Sequence, residues 1–122
     1  MKVYHKKIGK MRFKNKVCLI TGSTSGIGKA TALQFVREGA RVMILGTNAQ
    51  KGDAVVQEIR ETGGDAIFFQ ADIAFPDQIR DSVSHLLDHY QGIDVLVNNA
   101  AVMTFDPLID LKEEQWDRVM AV

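Results

Sequence analysis

The chain has 122 residues, of which 46% are hydrophobic and 25% are charged, and its formal net charge is zero. This composition belongs to a globular protein of one domain at most. No apolar run approaches the length of a membrane span, and no apolar segment that would complete a secretory signal follows the basic amino terminus. The single cysteine, Cys18, has no partner for an intramolecular disulfide, so we expect a buried apolar group and a reducing, cytoplasmic setting.

The amino terminus is strongly basic. Residues 1–16 contain seven of the fifteen Lys and Arg residues and no Asp or Glu. Such a segment can bind nucleic acid or anionic lipid, but this one has no amphipathic pattern and little aromatic interleaving. We therefore interpret residues 1–12 as a solvated basic extension and expect neither a nucleic-acid nor a membrane partner. Met11 offers an alternative start, in which case residues 1–10 are an upstream over-read.

Strand-like and helix-like segments alternate along the rest of the chain. The patterns predict strands over residues 17–21, 41–46, 66–71 and 93–98, and helices over residues 26–38, 49–61, 76–90 and 112–122. The predicted stop signals after the first three helices are Gly39, Gly63, Gly64 and Gly92. The alternation predicts an α/β fold with a parallel sheet. Right-handed crossovers would place the strands in the order 3-2-1-4, which is part of a Rossmann-type doubly wound sheet.

A glycine-rich turn connects the first strand to the first helix. Its spacing is Gly-x-x-x-Gly-x-Gly, with glycines at Gly22, Gly26 and Gly28. Backbone N–H groups and the positive end of the helix converge at such a turn, so a pyrophosphate can bind there without a cationic side chain. Taken alone, the turn also fits a loop that needs glycine only for its positive φ angles. Residues 71–73 and 98–101 also follow strands, and open parallel sheets bind ligands at these strand ends.

Together these segments resemble the short-chain dehydrogenase/reductase family. Residues 21–28 look like its cofactor turn, and residues 98–100 like its Asn-Asn-Ala-Gly motif, with Ala101 where the family usually has glycine. The similarity extends from about Phe13 to Val122 and is nearest to 3-oxoacyl-carrier-protein reductases and sugar or alcohol dehydrogenases. It implies a homo-oligomeric oxidoreductase that transfers a hydride between NAD(P) and a carbonyl or alcohol substrate.

The resemblance also implies which residues contact the cofactor. They are Gly22, Ser23, Ser25, Gly26, Ile27, Gly28, Thr47, Asn48, Asp72, Ile73, Asn99, Ala100 and Ala101. Asp72 would accept a hydrogen bond from the adenine amino group; the competing interpretation gives it only a turn-forming role. Asn99 would contact the cofactor ribose and backbone, while Asn98 would brace the adjoining strands. The competing interpretation makes both asparagines turn residues that form local hydrogen bonds.

The end of the second predicted strand bears on the choice between NAD and NADP. The acidic residue that holds the ribose 2′-hydroxyl of NAD would fall there, but Gly46, Thr47 and Asn48 occupy these positions. This neutral set, with Lys51 nearby, can accept the 2′-phosphate of NADP. NADP is therefore preferred over NAD, although no arginine supplies the contact. The competing interpretation is that Asn48 only caps the second helix.

No catalytic residue is assigned in this chain. The family's Tyr-x-x-x-Lys pair has no counterpart, because the fourth residue after Tyr4 is Ile8 and the fourth after Tyr90 is Asp94. The chain also stops one residue before the asparagine that the resemblance implies. We therefore expect the amino-terminal half of a truncated or partially sequenced enzyme, with residues 13–122 as a partial NAD(P)-binding domain. The alternative is a stand-alone nucleotide-binding or regulatory module.

Two residue pairs have the spacing of one helical turn. His85 and His89 could in principle hold a metal, but their helix lies away from the glycine turn, so we expect surface residues and no metal site. Trp116 and Met120 are predicted to form a packing stripe on the last helix. The resemblance implies that this helix contributes to a subunit interface.

Overall fold

The computed structural model describes residues 11–122, so the predicted extension lies outside the described residues except for Met11 and Arg12. The strands are β1 (Val17–Thr21), β2 (Arg41–Gly46), β3 (Asp65–Gln70) and β4 (Val95–Val97). They form one parallel sheet in the order β3-β2-β1-β4, which confirms the predicted topology. The helices are α1 (Gly26–Arg37), α2 (Ala49–Glu61), α3 (Pro76–Tyr90) and α4 (Glu113–Ala121), with a short 3-10 helix at Leu108–Asp110. In residues 11–122 no helix has the length and apolar content needed to cross a bilayer.

Each face of the sheet carries an apolar cluster. The cluster under α1 and α2 includes Cys18, Ile20, Val42, Ile44, Val55 and Ile59. The cluster under α3 includes Val17, Leu19, Met43, Leu45, Leu86 and Tyr90. Successive residues of β1 and β2 therefore point to opposite faces, and both faces are covered by helices. This is why both strands are continuous apolar runs in the sequence, with no alternating polar residues.

Cys18 is fully buried in the middle of β1. Burial, reinforced by the nearby charge of Asp94, raises the pKa of its thiol to about 11. The thiol is therefore protonated at neutral pH and lacks the reactivity of a thiolate. Cys18 is a packing residue, as predicted.

The fourth strand is shorter than the predicted segment 93–98. β4 pairs with β1 over Val95–Val97. Just before it, Asp94 is fixed to the start of β1, because its Oδ2 accepts a hydrogen bond of 2.8 Å from the N–H of Val17. Within the described chain β4 pairs with β1 alone. Its other edge is therefore open there, and Leu96 is 54% exposed.

The end of the third helix differs from the prediction. Gly39 and Gly63 adopt left-handed φ angles of 93° and 84° after α1 and α2, as expected for helix stop signals. After α3 this conformation falls on Gln91, with φ of 64°, and not on Gly92. Tyr90 is the last helical residue and is buried, with its hydroxyl donating to Asp65 at 2.7 Å. The N–H of Gln91 still donates to the carbonyl oxygen of Leu87, so the left-handed turn follows the helix directly.

The stripe predicted on α4 is largely exposed in the described chain. Trp116 and Met120 are 52% and 67% exposed, and no residue of α4 is buried. Because α4 buries so little apolar surface, polar contacts have a larger share in holding it against the sheet.

Candidate functional site

A cleft of about 380 Å³ lies at the carboxyl ends of the strands. Its lining consists of Gly22, Thr24, Ser25, Ile27, Leu45, Gly46, Thr47, Ala71, Asp72, Ile73, Asn99, Ala100, Ala101, Val102, Arg118 and Val122. The segment that follows each of the four strands contributes to this lining. Arg118 comes from α4, and Val122 directly follows that helix. The cleft thus opens where ligands bind in open parallel sheets.

The three glycines of the turn serve different purposes. Gly22 has a φ of 63°, and a Cβ atom added to it would lie 2.8 Å from the Cα atom of Ala100. Gly28 packs directly against the backbone of Gly22. A Cβ atom added to Gly28 would overlap the carbonyl oxygen of Gly22 and lie 2.5 Å from Nδ2 of Asn99. Gly26 also has a positive φ, 57°, but nothing lies within 4 Å of an added Cβ. Two glycines are therefore required by packing, and the third leaves open space beside the backbone.

The first turn of α1 presents backbone donors. Ser25 is the N-cap residue, in an extended conformation, and its side chain makes no capping hydrogen bond. The first hydrogen bond of the helix runs from the N–H of Lys29 to the carbonyl oxygen of Ser25 at 3.1 Å. The N–H groups of Gly26, Ile27 and Gly28 therefore have no acceptor within the helix, and the first turn contains no acidic residue. These donors and the positive end of the helix dipole suit an anion.

A carboxylate and a guanidinium group meet at the cleft. Asp72 accepts hydrogen bonds from the backbone N–H of Ala74 at 3.0 Å and from Nη1 of Arg118, which lies 2.9 Å from Oδ1 and 2.8 Å from Oδ2. The hydrogen bond from Arg118 lowers the pKa of the Asp72 carboxyl, while desolvation by burial acts in the opposite direction. Asp72 is therefore ionised at neutral pH, and the pair joins the end of β3 to α4.

Comparison with known protein families decides the assignment of the chain. A family model described as short chain dehydrogenase matches residues 16–122. The chain belongs to the short-chain dehydrogenase family. Among curated proteins, a 3-oxoacyl-(acyl-carrier-protein) reductase of Thermotoga maritima is 42% identical over 112 residues, which cover 92% of this chain and 46% of that protein. A 3beta-hydroxysteroid dehydrogenase of Mediterraneibacter gnavus is 36% identical over 110 residues, covering 89% of this chain and 40% of that protein. The chain spans less than half of the length of these two relatives.

Solved structures give the same family. A short chain dehydrogenase from Burkholderia cenocepacia, in complex with NADP, superimposes with a TM-score of 0.87 at 37% identity and covers 91% of this chain and 46% of its own. A metagenomic short-chain oxidoreductase, also in complex with NADP, gives a TM-score of 0.86 at 35% identity. The superposition covers 90% of this chain and 50% of that oxidoreductase. The fold and topology of this chain are therefore those of short-chain dehydrogenases.

Most of the residues expected to contact the cofactor line the cleft of this short-chain dehydrogenase. They are Gly22, Ser25, Ile27, Thr47, Asp72, Ile73, Asn99, Ala100 and Ala101. The cleft lining does not include Ser23, Gly26, Gly28 and Asn48. Sequence reasoning missed the lining residues Thr24 and Arg118, to which it gave no role.

Ser23 requires a correction. Its side chain is fully buried, and its hydroxyl donates to the carbonyl oxygen of Ile20 at 2.7 Å. The hydroxyl oxygen of Ser23 also accepts a hydrogen bond of 3.1 Å from the N–H of Leu45. Where the chain leaves β1, backbone N–H and C=O groups no longer pair with the neighbouring strands and need other hydrogen-bond partners. Ser23 supplies that partner to β1 and β2, and it has no surface left to contact a ligand.

The bracing role predicted for Asn98 belongs to Asn99. The Asn99 side chain donates from Nδ2 to the carbonyl oxygens of Thr21 and Gly22, both at 3.1 Å, whereas Asn98 is exposed. Consecutive residues leaving a strand point in opposite directions, so only one of the two asparagines faces β1. Thr21 completes the junction, since its Oγ1 accepts from the N–H groups of Asn99 and Ala100, both at 3.0 Å.

The end of β2 separates two residues that the sequence grouped together. Thr47 is exposed at the cleft, and its carbonyl oxygen accepts a hydrogen bond of 3.0 Å from Nε2 of Gln70. Asn48 caps α2, because its Oδ1 accepts from the N–H of Lys51 at 3.0 Å. The structure therefore shows the helix-capping bond of Asn48, and a contact of this residue with the cofactor stays a prediction.

Tyr90 and the two histidines lie among aromatic contacts on α3. Burial and the hydrogen bond to Asp65 raise the pKa of Tyr90, so its phenol is a poor proton donor to a substrate. The ring of His89 meets that of Tyr90 edge-on with centroids 4.7 Å apart, and the ring of His85 lies 5.3 Å from that of Phe69. Both histidines are exposed on the helix surface.

Proposed function

We propose that this chain is the cofactor-binding half of an NAD(P)-dependent oxidoreductase, which transfers a hydride between the nicotinamide and a carbonyl or alcohol substrate. The observation that carries the proposal is the cleft, at which the glycine turn, the unpaired donors of α1 and the ends of four strands converge. The two NADP complexes that superimpose on this chain support it. The cofactor, when bound, supplies or accepts the hydride.

The residues fit the parts of such a cofactor. The N–H groups of Gly26 and Ile27, with the hydroxyl of Ser25, would hold the pyrophosphate, because they are donors without helical acceptors. Asp72 and Ile73 would bind the adenine from one side of the cleft. Asn99, Ala100 and Ala101 would contact the nicotinamide ribose, Asn99 through backbone groups, since its side-chain amide already binds the turn.

NADP is the preferred cofactor in this proposal, with NAD as the alternative. Gly46 and Thr47 face the cleft without a carboxylate, and a Cβ atom on Gly46 would lie 2.6 Å from Cγ2 of Thr24, so a small residue is required there. The 2′-phosphate of NADP would then meet a hydroxyl and an open strand end, with Lys51 on the first turn of α2. No charge at this point repels it.

Thr47→Asp should shift the cofactor preference of the full-length protein from NADP towards NAD. A carboxylate beside the 2′-phosphate adds repulsion of about 1–2 kcal/mol, which weakens NADP binding roughly 5- to 30-fold, while NAD binding stays the same or improves. Isothermal titration with both cofactors measures the shift. Ser84→Asp adds the same charge to the exposed side of α3 and serves as the matched control. Equal losses of NADP affinity in Thr47→Asp and Ser84→Asp would show that Thr47 does not lie beside the 2′-phosphate.

The isolated 122-residue chain should not oxidise NADPH with any carbonyl substrate. Neither tyrosine has a lysine four residues later, and the phenol of Tyr90 donates to Asp65. No group of the chain therefore protonates a carbonyl oxygen as the family's Tyr-x-x-x-Lys pair does. Absorbance at the reduced-nicotinamide band, compared with a mock preparation, checks this. Turnover by the pure chain would contradict the assignment of catalysis to residues outside it.

The proposal also covers the oligomeric state and the cellular compartment of the full-length protein. The exposed Trp116 and Met120 on α4 support a role of this helix in a homo-oligomeric interface. The single, buried Cys18 favours a reducing, cytoplasmic setting.

A further inference from the structure

The helix α4 forms one wall of the cleft although it is barely attached to the sheet. Arg118 and Val122 line the cleft, but α4 contributes no buried residue. Its side chains make two hydrogen-bonded contacts outside the helix and its cap in the described chain: Gln115 to Asp106 in the preceding loop, and Arg118 to Asp72. Of these two contacts, only the ion pair connects α4 to the loop that follows β3.

The same ion pair sets the charge of the cleft. Among the lining residues Asp72 is the one carboxylate and Arg118 is the one cation. Nη1 of Arg118 lies 2.8 Å from Oδ2 of Asp72, so the two charges cancel locally. A dinucleotide carries negative phosphates, and an uncompensated carboxylate in the cleft would repel them.

The orientation of Asp72 does not itself require the arginine. Oδ1 of Asp72 accepts the N–H of Ala74, and the N–H of Asp72 donates to Oε1 of Gln78 at 2.7 Å. These bonds hold Asp72 in its loop and against the first turn of α3. Arg118 therefore adds two things that the loop cannot supply, namely a positive charge and an attachment for α4.

We propose that Arg118 is a cofactor-positioning residue, which holds α4 as a wall of the cleft and neutralises Asp72 beside the adenine end of an anionic dinucleotide. This inference rests on the proposed function. Sequence reasoning gives no signal for it, because the two residues are 46 positions apart and on different elements. The side chains of Arg118 and Asp72 are 42% and 23% exposed, so loss of the pair should loosen α4 without unfolding the sheet.

The test compares Arg118→Met, Arg118→Lys and Asp72→Asn/Arg118→Met in the full-length protein. Titration with NADP should show binding about 5- to 20-fold weaker in Arg118→Met. Binding of uncharged adenosine should weaken less, because loss of the wall affects it and the free carboxylate charge does not. Lysine at position 118 should recover most of the NADP affinity. The double variant should bind NADP more tightly than Arg118→Met, because it leaves no free carboxylate charge.

Hydrogen exchange of residues 113–121, without ligand, gives a second readout. It should be faster in Arg118→Met than in wild type and slow down when NADP binds to wild type. Arg80→Met is the matched control, since Arg80 pairs with Asp77 at 2.7 Å on the exposed surface of α3. It should alter neither NADP affinity nor exchange in α4.

The possible failures are distinguishable. NADP affinity within twofold of wild type in Arg118→Met would overturn the inference, as would a double variant no better than the single one. Failure of wild type to bind NADP at all would instead overturn the proposed function. In that case, hydrogen exchange of residues 113–121 without ligand still shows whether Arg118 holds α4 in place.

Discussion

Gly26→Val is expected to weaken NADP binding by the full-length protein at least 30-fold while the protein still unfolds cooperatively. The φ of Gly26 is 57°, a conformation that costs a non-glycine residue about 1–2 kcal/mol and a β-branched residue more. Nothing in the protein lies within 4 Å of the added Cβ, so the fold can accommodate it. The valine would instead fill the space beside the unpaired N–H groups of α1, where the pyrophosphate would bind. Isothermal titration and calorimetric unfolding measure the two effects.

Gly63→Val is the matched control for this substitution. Gly63 also has a positive φ, 84°, and no atom lies within 4 Å of an added Cβ, but it follows α2 and lies outside the glycine turn. Both variants should lose similar amounts of stability, and only Gly26→Val should lose NADP affinity. If both bind NADP as wild type does, the glycine turn does not hold the pyrophosphate.

The isolated 122-residue chain is expected to aggregate, and Leu96→Lys should slow its aggregation several-fold. Leu96 is 54% exposed on β4, which pairs within the described chain only with β1. An open apolar edge is a template for pairing with another chain, and a lysine on such an edge opposes that pairing. Light scattering and sedimentation at equal protein concentration measure the difference. A monomeric chain with a sharp calorimetric transition would contradict the prediction.

Leu87→Lys is the control that distinguishes blocking of the sheet edge from a general effect of added charge on solubility. Leu87 is 42% exposed on α3, so the same change there adds the same charge away from the sheet edge, and it should leave the aggregation rate nearly unchanged. In the full-length protein, Leu96→Lys should be harmful and lower the free energy of unfolding. We expect further strands to cover β4 there, so a buried lysine should destabilise it by roughly 2–4 kcal/mol.

The order and type of the elements follow from the sequence because they depend on local patterns. The strands predicted over 17–21 and 41–46 agree with β1 and β2 residue for residue, since both are apolar runs between clear breaks. The glycine turn is equally local, because its positive φ angles and close packing require glycine whatever else the chain does. The strand order follows from the right-handedness of the crossovers.

The roles of individual polar side chains are decided by the tertiary structure. Asn98 and Asn99 have the same chemistry, and only the orientation of the chain leaving β4 determines which one binds the turn. Ser23 is suited to a phosphate contact by type, but the positions of β1 and β2 bury it between them. Arg118 reaches Asp72 across 46 positions because α4 folds back over the carboxyl ends of the strands. Local patterns determine backbone conformation, whereas a side chain's partner depends on which distant elements pack beside it.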